Sequence, residues 1–231
     1  MTQITWLGHA TFEFGFDSGE VLVMDPWIEG NPAYPKGYEI QRVDAIAVSH
    51  AHFDHINDVI PLAKKFKPKV VAIFEISAWL EKKGVKNTIG MNKGGTVDLG
   101  FVKLTMTHAI HSCAIKDGDE LLYGGEAAGY VLTPKDGRRA YFAGDTALFS
   151  DMVLIRELYG PELAFLPIGD HFTMDPLQAC HAARFIKAKR VVPMHYGTFP
   201  ALTGRPEDLA ERLKNDDIHV WQLKQGETVE W

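Results

Sequence analysis

The sequence predicts an α/β fold, two sheets of mixed strands with helices outside them, in one domain over residues 1–231. Three observations carry this expectation. Strand signals alternate with helix signals along the whole chain. No linker rich in Gly, Ser or Pro divides it, and a length of 231 residues suits one large domain. Histidines and aspartates follow directly after apolar runs, and α/β sheets assemble their sites just beyond the carboxyl ends of strands.

Ile4 to Phe16 reads as a strand interrupted at Gly8-His9, and after the turn Asp17-Ser18-Gly19-Glu20 the chain returns as Val21 to Met24. Trp27 to Arg42, with Pro32 and Pro35, reads as a loop. Val43 to Ser49 is a short apolar run, the pattern of a strand buried on both faces. Val59, Leu62, Ala63 and Phe66 then mark one face of a helix. Pro61 is tolerated only in a first turn, so that helix starts near Asn57 or Asp58. Val70 to Ile73 is a strand, and Ser77 to Lys83 a helix ended by Gly84.

In the second half, strands are expected over Val102 to Thr107, Tyr130 to Thr133, Arg139 to Ala143, Leu163 to Pro167, Arg190 to Pro193 and His219 to Leu223. Helices are expected over Met152 to Leu158, from Asp175 to about Lys187, and over Pro206 to Lys214. Asp175-Pro176-Leu177-Gln178 is a helix start, with Asp as cap, Pro at the first position and Gln placed for a capping box.

Composition excludes several roles. Residues are 46% hydrophobic and 23% charged, enough apolar material for a sizeable core. The net charge of −6 argues against a nucleic-acid partner, because phosphate contacts need clustered Lys and Arg. The one basic cluster, Lys64, Lys65, Lys67 and Lys69, falls at a helix end, where cations meet the negative end of the dipole. No apolar run is long enough to span a bilayer, and no charged-then-apolar leader precedes Ile4. Cys113 and Cys180 make no disulfide framework and read as reduced thiols, which points to a cytoplasmic protein.

The histidines carry the chemistry. Ser49-His50-Ala51-His52-Phe53-Asp54-His55 places four metal-capable side chains in six residues directly after a buried strand. An extended His-x-His puts both imidazoles on one side of the backbone. Asp54 and His55 fall where the chain turns into a helix and can aim at a second point nearby, so the spacing suits two metals. Burying such polar groups beside a core without a partner is costly. His111, Asp145 and His195 stand after three further strands. His108 also stands at a strand end and competes with His111.

His50-x-His52-x-Asp54-His55 resembles the signature of the metallo-β-lactamase superfamily, and His111-Ser112, Gly144-Asp145-Thr146 and His195-Tyr196-Gly197-Thr198-Phe199 continue that pattern in order. The chain most resembles a bacterial family of metal-dependent hydrolases related to ascorbate-6-phosphate lactonase. The stretch from Leu166 to Pro176 is similar to that family, whereas Phe53 and Asn57 stand where many relatives have Gly. The resemblance implies a four-layer αβ/βα sandwich. It implies that His50, His52 and His111 hold one metal, that Asp54, His55 and His195 hold a second, and that Asp145 bridges them. It favours His111 over His108. His52, where redox members carry Glu, favours a hydrolytic site over a redox one.

Imidazole and carboxylate donors without a thiolate suit zinc first, then manganese, iron or nickel. The expected chemistry is hydrolysis by a metal-bridging hydroxide, with Asp54 and Asp145 as the catalytic carboxylates, on a small soluble lactone or ester. The rivals are a phosphodiesterase, a redox di-metal protein and a metal binder without turnover. His9, His171 and Tyr196 are the candidate substrate contacts, and Asp25 is a candidate to orient a ligand imidazole. Neither a nucleic acid nor a membrane is expected as partner. Homo-oligomerisation is expected from relatives and from the aromatic Trp27, Tyr34 and Tyr38 in the loop from Trp27 to Arg42.

Overall fold

The computed structural model describes residues 1–231. The first half runs β1 (Thr2–Trp6), β2 (Phe12–Phe16), β3 (Val21–Met24), β4 (Ala45–Ala47), α1 (Phe53–Ile56), α2 (Val59–Phe66), β5 (Lys69–Ile73), α3 (Phe74–Lys82) and β6 (Thr88–Met91). The second runs β7 (Thr96–Asp98), β8 (Val102–His108), β9 (Ala114–Asp117), β10 (Glu120–Tyr123), β11 (Ala128–Pro134), β12 (Ala140–Phe142), α4 (Met152–Tyr159), β13 (Leu163–Pro167), α5 (Pro176–Ile186), β14 (Arg190–Met194), α6 (Pro206–Leu213), β15 (His219–Val220) and β16 (Thr228–Glu230).

Two seven-stranded sheets form, ordered β16-β1-β2-β3-β4-β5-β6 and β15-β14-β13-β12-β11-β8-β7. In each sheet one half is antiparallel and the half that delivers most of the polar strand ends is parallel. The ribbon β9-β10 stands apart from both.

Side-chain alternation builds the layers. On the first sheet Phe12 and Phe14 face the second sheet, where Phe142 and Phe165 meet them with ring centroids 4.9 to 6.0 Å apart. The residues between, Tyr141, Ala164, Leu166 and Val191, point the other way into a separate core with α4, α5 and α6. Strands that must bury both faces therefore read as unbroken apolar runs. Helices α2 and α3 cover the first sheet with Val59, Leu62, Ile76 and Leu80. The order is helices, sheet, sheet, helices, the four-layer sandwich expected.

Three local expectations change. Ile4 to Phe16 is not one interrupted strand but an antiparallel pair that reverses at Leu7–Thr11. Gly8 has φ 91° and a Cβ there would lie 2.5 Å from the Ala33 carbonyl oxygen, so the reversal requires glycine. At α5 only half of the capping box forms: Asp175 accepts from the Gln178 backbone N–H at 2.7 Å. The loop aromatics offer less surface than the loop's composition suggests. Trp27 is buried, and Tyr34 and Tyr38 are half-buried against the main core and each other at 6.2 Å.

Phe165 joins the two sheets through Phe12 and Phe14 and packs on Phe142 of the neighbouring strand. Phe165→Ala should lower unfolding free energy by about 3–5 kcal/mol, the range for removing a buried Phe. Urea titration of the two proteins at one metal concentration measures it.

Candidate metal centre

The site assembles where strand ends of both sheets meet. The strand β4 runs out at Val48 into Ser49 and His50, and α1 turns Asp54 and His55 back toward the same point. From the second sheet, β12 delivers Asp145, β14 delivers His195, and the segment after β8 delivers His111. Gly144, at φ 63°, allows the close pass: a Cβ there would lie 2.7 Å from the Ala128 carbonyl oxygen.

Three ring nitrogens define the first group. His50 Nε2 and His111 Nε2 lie 3.0 and 3.2 Å from His52 Nδ1. Tetrahedral donors at roughly 2.0–2.1 Å from a zinc ion would stand about 3.3 Å apart, so this spacing fits a cation between them. His108 lies elsewhere, exposed, within 3.1 Å of Lys93 Nζ. The second group is His9, Asp54, His55 and His195, within which His9 turns its Nε2 to Asp54 Oδ2 at 3.1 Å. Asp145 stands between: its Oδ2 is 2.9 Å from His195 Nε2, 3.4 Å from His55 Nε2, 3.7 Å from His111 Nε2 and 3.8 Å from His50 Nε2. The structure thus brings all seven expected metal residues together.

The residues behind them fix which nitrogen faces inward. Asp25 accepts from His55 Nδ1 at 2.8 Å and from the Ser49 hydroxyl at 2.6 Å, and that hydroxyl lies 3.0 Å from His50 Nδ1. One carboxylate therefore orients both imidazoles and leaves both Nε2 lone pairs pointing at the cluster. Ser112 plays the same part for His52, with its Oγ 3.3 Å from Nε2. The fit to a cation rests on what remains unpaired. His55 Nε2 and Asp145 Oδ1 are buried with no hydrogen-bond partner. Buried polar atoms are otherwise almost always paired.

Charge follows the same geometry. Burial, then His55 beside it, holds His50 well below the usual histidine range, so it stays a neutral donor. For His55 burial works downward, but Asp145 and Asp25 together push it well above that range. Asp145 is held well below the carboxylate range by His195 and His55 against the effect of burial. Without a cation these groups share protons; with one, the imidazoles give up theirs and metal affinity falls as pH falls.

Of the three expected substrate contacts, His9 lies in the donor cluster and His171 and Tyr196 do not line the cavity. His9 is fully buried and its Nε2 lies 3.1 Å from Asp54 Oδ2, with Nδ1 2.6 Å from Thr198 Oγ1. It presents an N–H to Asp54 and so orients that carboxylate. His171 is exposed and meets Phe172 edge to face at 4.4 Å, outside the cavity wall. Tyr196 turns away to pack on Trp6 at 5.5 Å. His9 and His171 stand at loop positions of positive φ, where backbone conformation sets the side-chain direction. Seven non-glycine residues have positive φ. Two of them, Lys67 and Lys187, cap helices, whereas His9, Asp25, Asp170, His171 and His195 gather at this end of the sandwich. Such strain concentrates at functional sites.

The cavity wall holds residues the sequence did not single out: Phe53, Lys116, Leu121, Phe172 and Phe199. Phe53 was visible only as a departure from the family's Gly, and Lys116 and Leu121 sit on a ribbon with no strong strand signal.

Comparison with known proteins agrees with this architecture. The model of the beta-lactamase superfamily domain matches residues 19–196. The chain belongs to this superfamily. A UPF0173 metal-dependent hydrolase of Solibacter usitatus is 62% identical over 229 residues, covering 99% of this chain and all of that protein. Its counterpart in Koribacter versatilis is 52% identical, covering 98% of this chain and 97% of that one. Among solved structures, Igni18, a metallo hydrolase from the hyperthermophilic archaeon Ignicoccus hospitalis, superposes with a TM-score of 0.86 at 33% identity. It covers 100% of this chain and 99% of its own. Within the beta-lactamase superfamily the chain therefore falls among metal-dependent hydrolases over its full length.

Two expectations follow from the hydrogen bonds. Asp25 has φ 45°, which Asn also tolerates, so Asp25→Asn replaces the acceptor of the Ser49 hydroxyl and His55 Nδ1 with an NH2 group, keeps an oxygen for the Ser49 N–H and does not strain the backbone. It should weaken metal binding by about 10–100-fold, read by competition with a chelating dye. Burial, then His195, lowers His9 from 6.5 to about 4. The neutral His9 thus stabilises the metal-free fold fully above pH 6.5, and this is lost as pH falls toward 4. The effect is on the order of 3 kcal/mol. In His9→Gln, the urea midpoint of the chelator-treated protein should depend less on pH across that window.

Proposed function

We propose that this protein hydrolyses a small lactone or ester with the help of two divalent cations, zinc foremost. His50, His52 and His111 would hold one cation, Asp54, His55 and His195 the other, and Asp145 would join them. One observation carries the reading: a single buried carboxylate oxygen within 2.9 to 3.8 Å of four imidazole nitrogens, with His55 Nε2 left unpaired beside it. When bound, the cations would lower the pKa of water from 15.7 to about 7 and polarise the electrophile.

The chain's own residues do the rest. Asp145 sets the spacing of the two donor groups and offsets their positive charge. Asp54, held low at about 2 by its bond to His9 and by His55 against burial, stays ionised at any working pH. Asp25 and Ser49 keep the imidazoles in the tautomer that donates from Nε2. Hydrolysis then adds one water across the acyl C–O bond, giving a carboxylic acid and an alcohol, which are one molecule when a lactone opens.

A small acyl substrate is favoured over a polyanion because Lys116 is the only Lys or Arg on a cavity of about 780 Å³. That volume lies in the range of small-ligand sites. A nucleic acid would need several cations there. No helix is long and apolar enough to cross a membrane. Cys113 and Cys180 are both free and buried, which supports a reducing, cytoplasmic setting.

Asp145→Ala should lose metal and lower kcat/KM by more than about a hundredfold, since removing an outer partner alone costs 10–100-fold. Elemental analysis and turnover of a lactone and ester panel measure both. Full metal content with unchanged turnover would refute the bridging role.

A further inference from the structure

The cavity in front of the donors differs from a site built for a charged metabolite. Apart from the metal residues, Ser112 and Lys116, its wall is apolar. Phe53 and Phe199 rest on the buried Trp27, with ring centroids 5.7 and 5.5 Å from it. Leu121 enters from β10, in register with Lys116 on β9. Phe172 enters from the loop after β13. Phe53, Leu121 and Phe172 are 53%, 75% and 54% exposed. Large apolar groups gathered at a cleft mouth mark binding surfaces.

The backbone also commits conformational strain to this wall. Asp170 and His171, both non-glycine, adopt left-handed conformations with φ 68° and 50° immediately before Phe172. Two glycines clasp that loop to the segment bearing His195 and Phe199. A Cβ on Gly169 would lie 2.1 Å from the His195 carbonyl oxygen, and one on Gly204 1.7 Å from that of Ile168. The rings are thus tied to a metal residue at fixed offsets.

We infer that the substrate carries an alkyl chain or aryl ring beside the cleaved bond, gripped by Phe172, Phe199 and Leu121, which set specificity. This rests on the hydrolytic reading above and narrows it to apolar-substituted lactones or esters, excluding phosphorylated ones.

The test compares kcat/KM of the metal-loaded protein for γ-butyrolactone, the same ring bearing a pentyl chain, and a phosphorylated lactone. Each buried methylene contributes about fourfold (~0.8 kcal/mol). With walls that stay half open, the pentyl lactone should be favoured about thirtyfold or more. Phe172→Ala and Phe199→Ala should each reduce that ratio several-fold, whereas Leu158→Ala, an exposed position on α4, should not. A second readout needs no turnover: calorimetry on metal-free protein should show heptanoate binding more tightly than acetate, and Phe172→Ala should erase the difference. If no lactone is cleaved but heptanoate retains its preference, the hydrolytic reading fails and the apolar grip stands. If lactones are cleaved with a pentyl ratio near one, or the phosphorylated lactone is preferred, the grip is refuted and the hydrolytic reading stands.

Discussion

Asp145 sits within hydrogen-bonding or ion-pair reach of four imidazoles at the end of β12, and the molecule is arranged around that burial. A carboxylate so enclosed is tolerable only among positive charge. Both sheets contribute to meeting the demand. His50 and His55 come from the first, His111 and His195 from the second. The aromatic junction of Phe12, Phe14, Phe142 and Phe165 between the sheets therefore also sets the distance between the donor groups.

Behind the donors lies a second set of contacts that decides protonation. Asp25 anchors Ser49 through backbone N–H and hydroxyl and His55 through Nδ1, so one buried side chain controls two imidazoles. His9 and Thr198 do the same for Asp54. These residues never reach the cavity. Their effect is to hold His50, His55 and Asp54 in one orientation, which lowers the cost of organising a site when a cation or substrate arrives.

The same frame shapes the cavity. Trp27 is buried against His9 at 5.1 Å on one side and supports Phe53 and Phe199 on the other. Polar donors and apolar walls thus share one support, so the position of a bound group relative to the reacting centre is set by packing.

Much of this was legible in the residue order. The strand ends that carry His50, Asp145 and His195, the helix starting beside Asp58, and the cap at Asp175 all rest on local signals: apolar runs, periodicity and side-chain bonds to nearby backbone. The seven clustered residues stand near the ends of apolar runs, but the choice of His111 over His108 came from the family resemblance, since β8 itself ends at His108. What only the tertiary structure decided were directions and distant pairings. The edge strands β6, β7 and β16 are short and half-exposed, so pairing rather than pattern defines them. His9, His171 and Tyr196 were all candidates as substrate contacts, yet the fold buries His9 beside Asp54, leaves His171 exposed and packs Tyr196 on Trp6. The cavity wall comes from α1, the β9-β10 ribbon and two loops far apart in the chain. The types of donor follow from sequence because they are local; the shape of the space before them does not, because it exists only once distant segments pack.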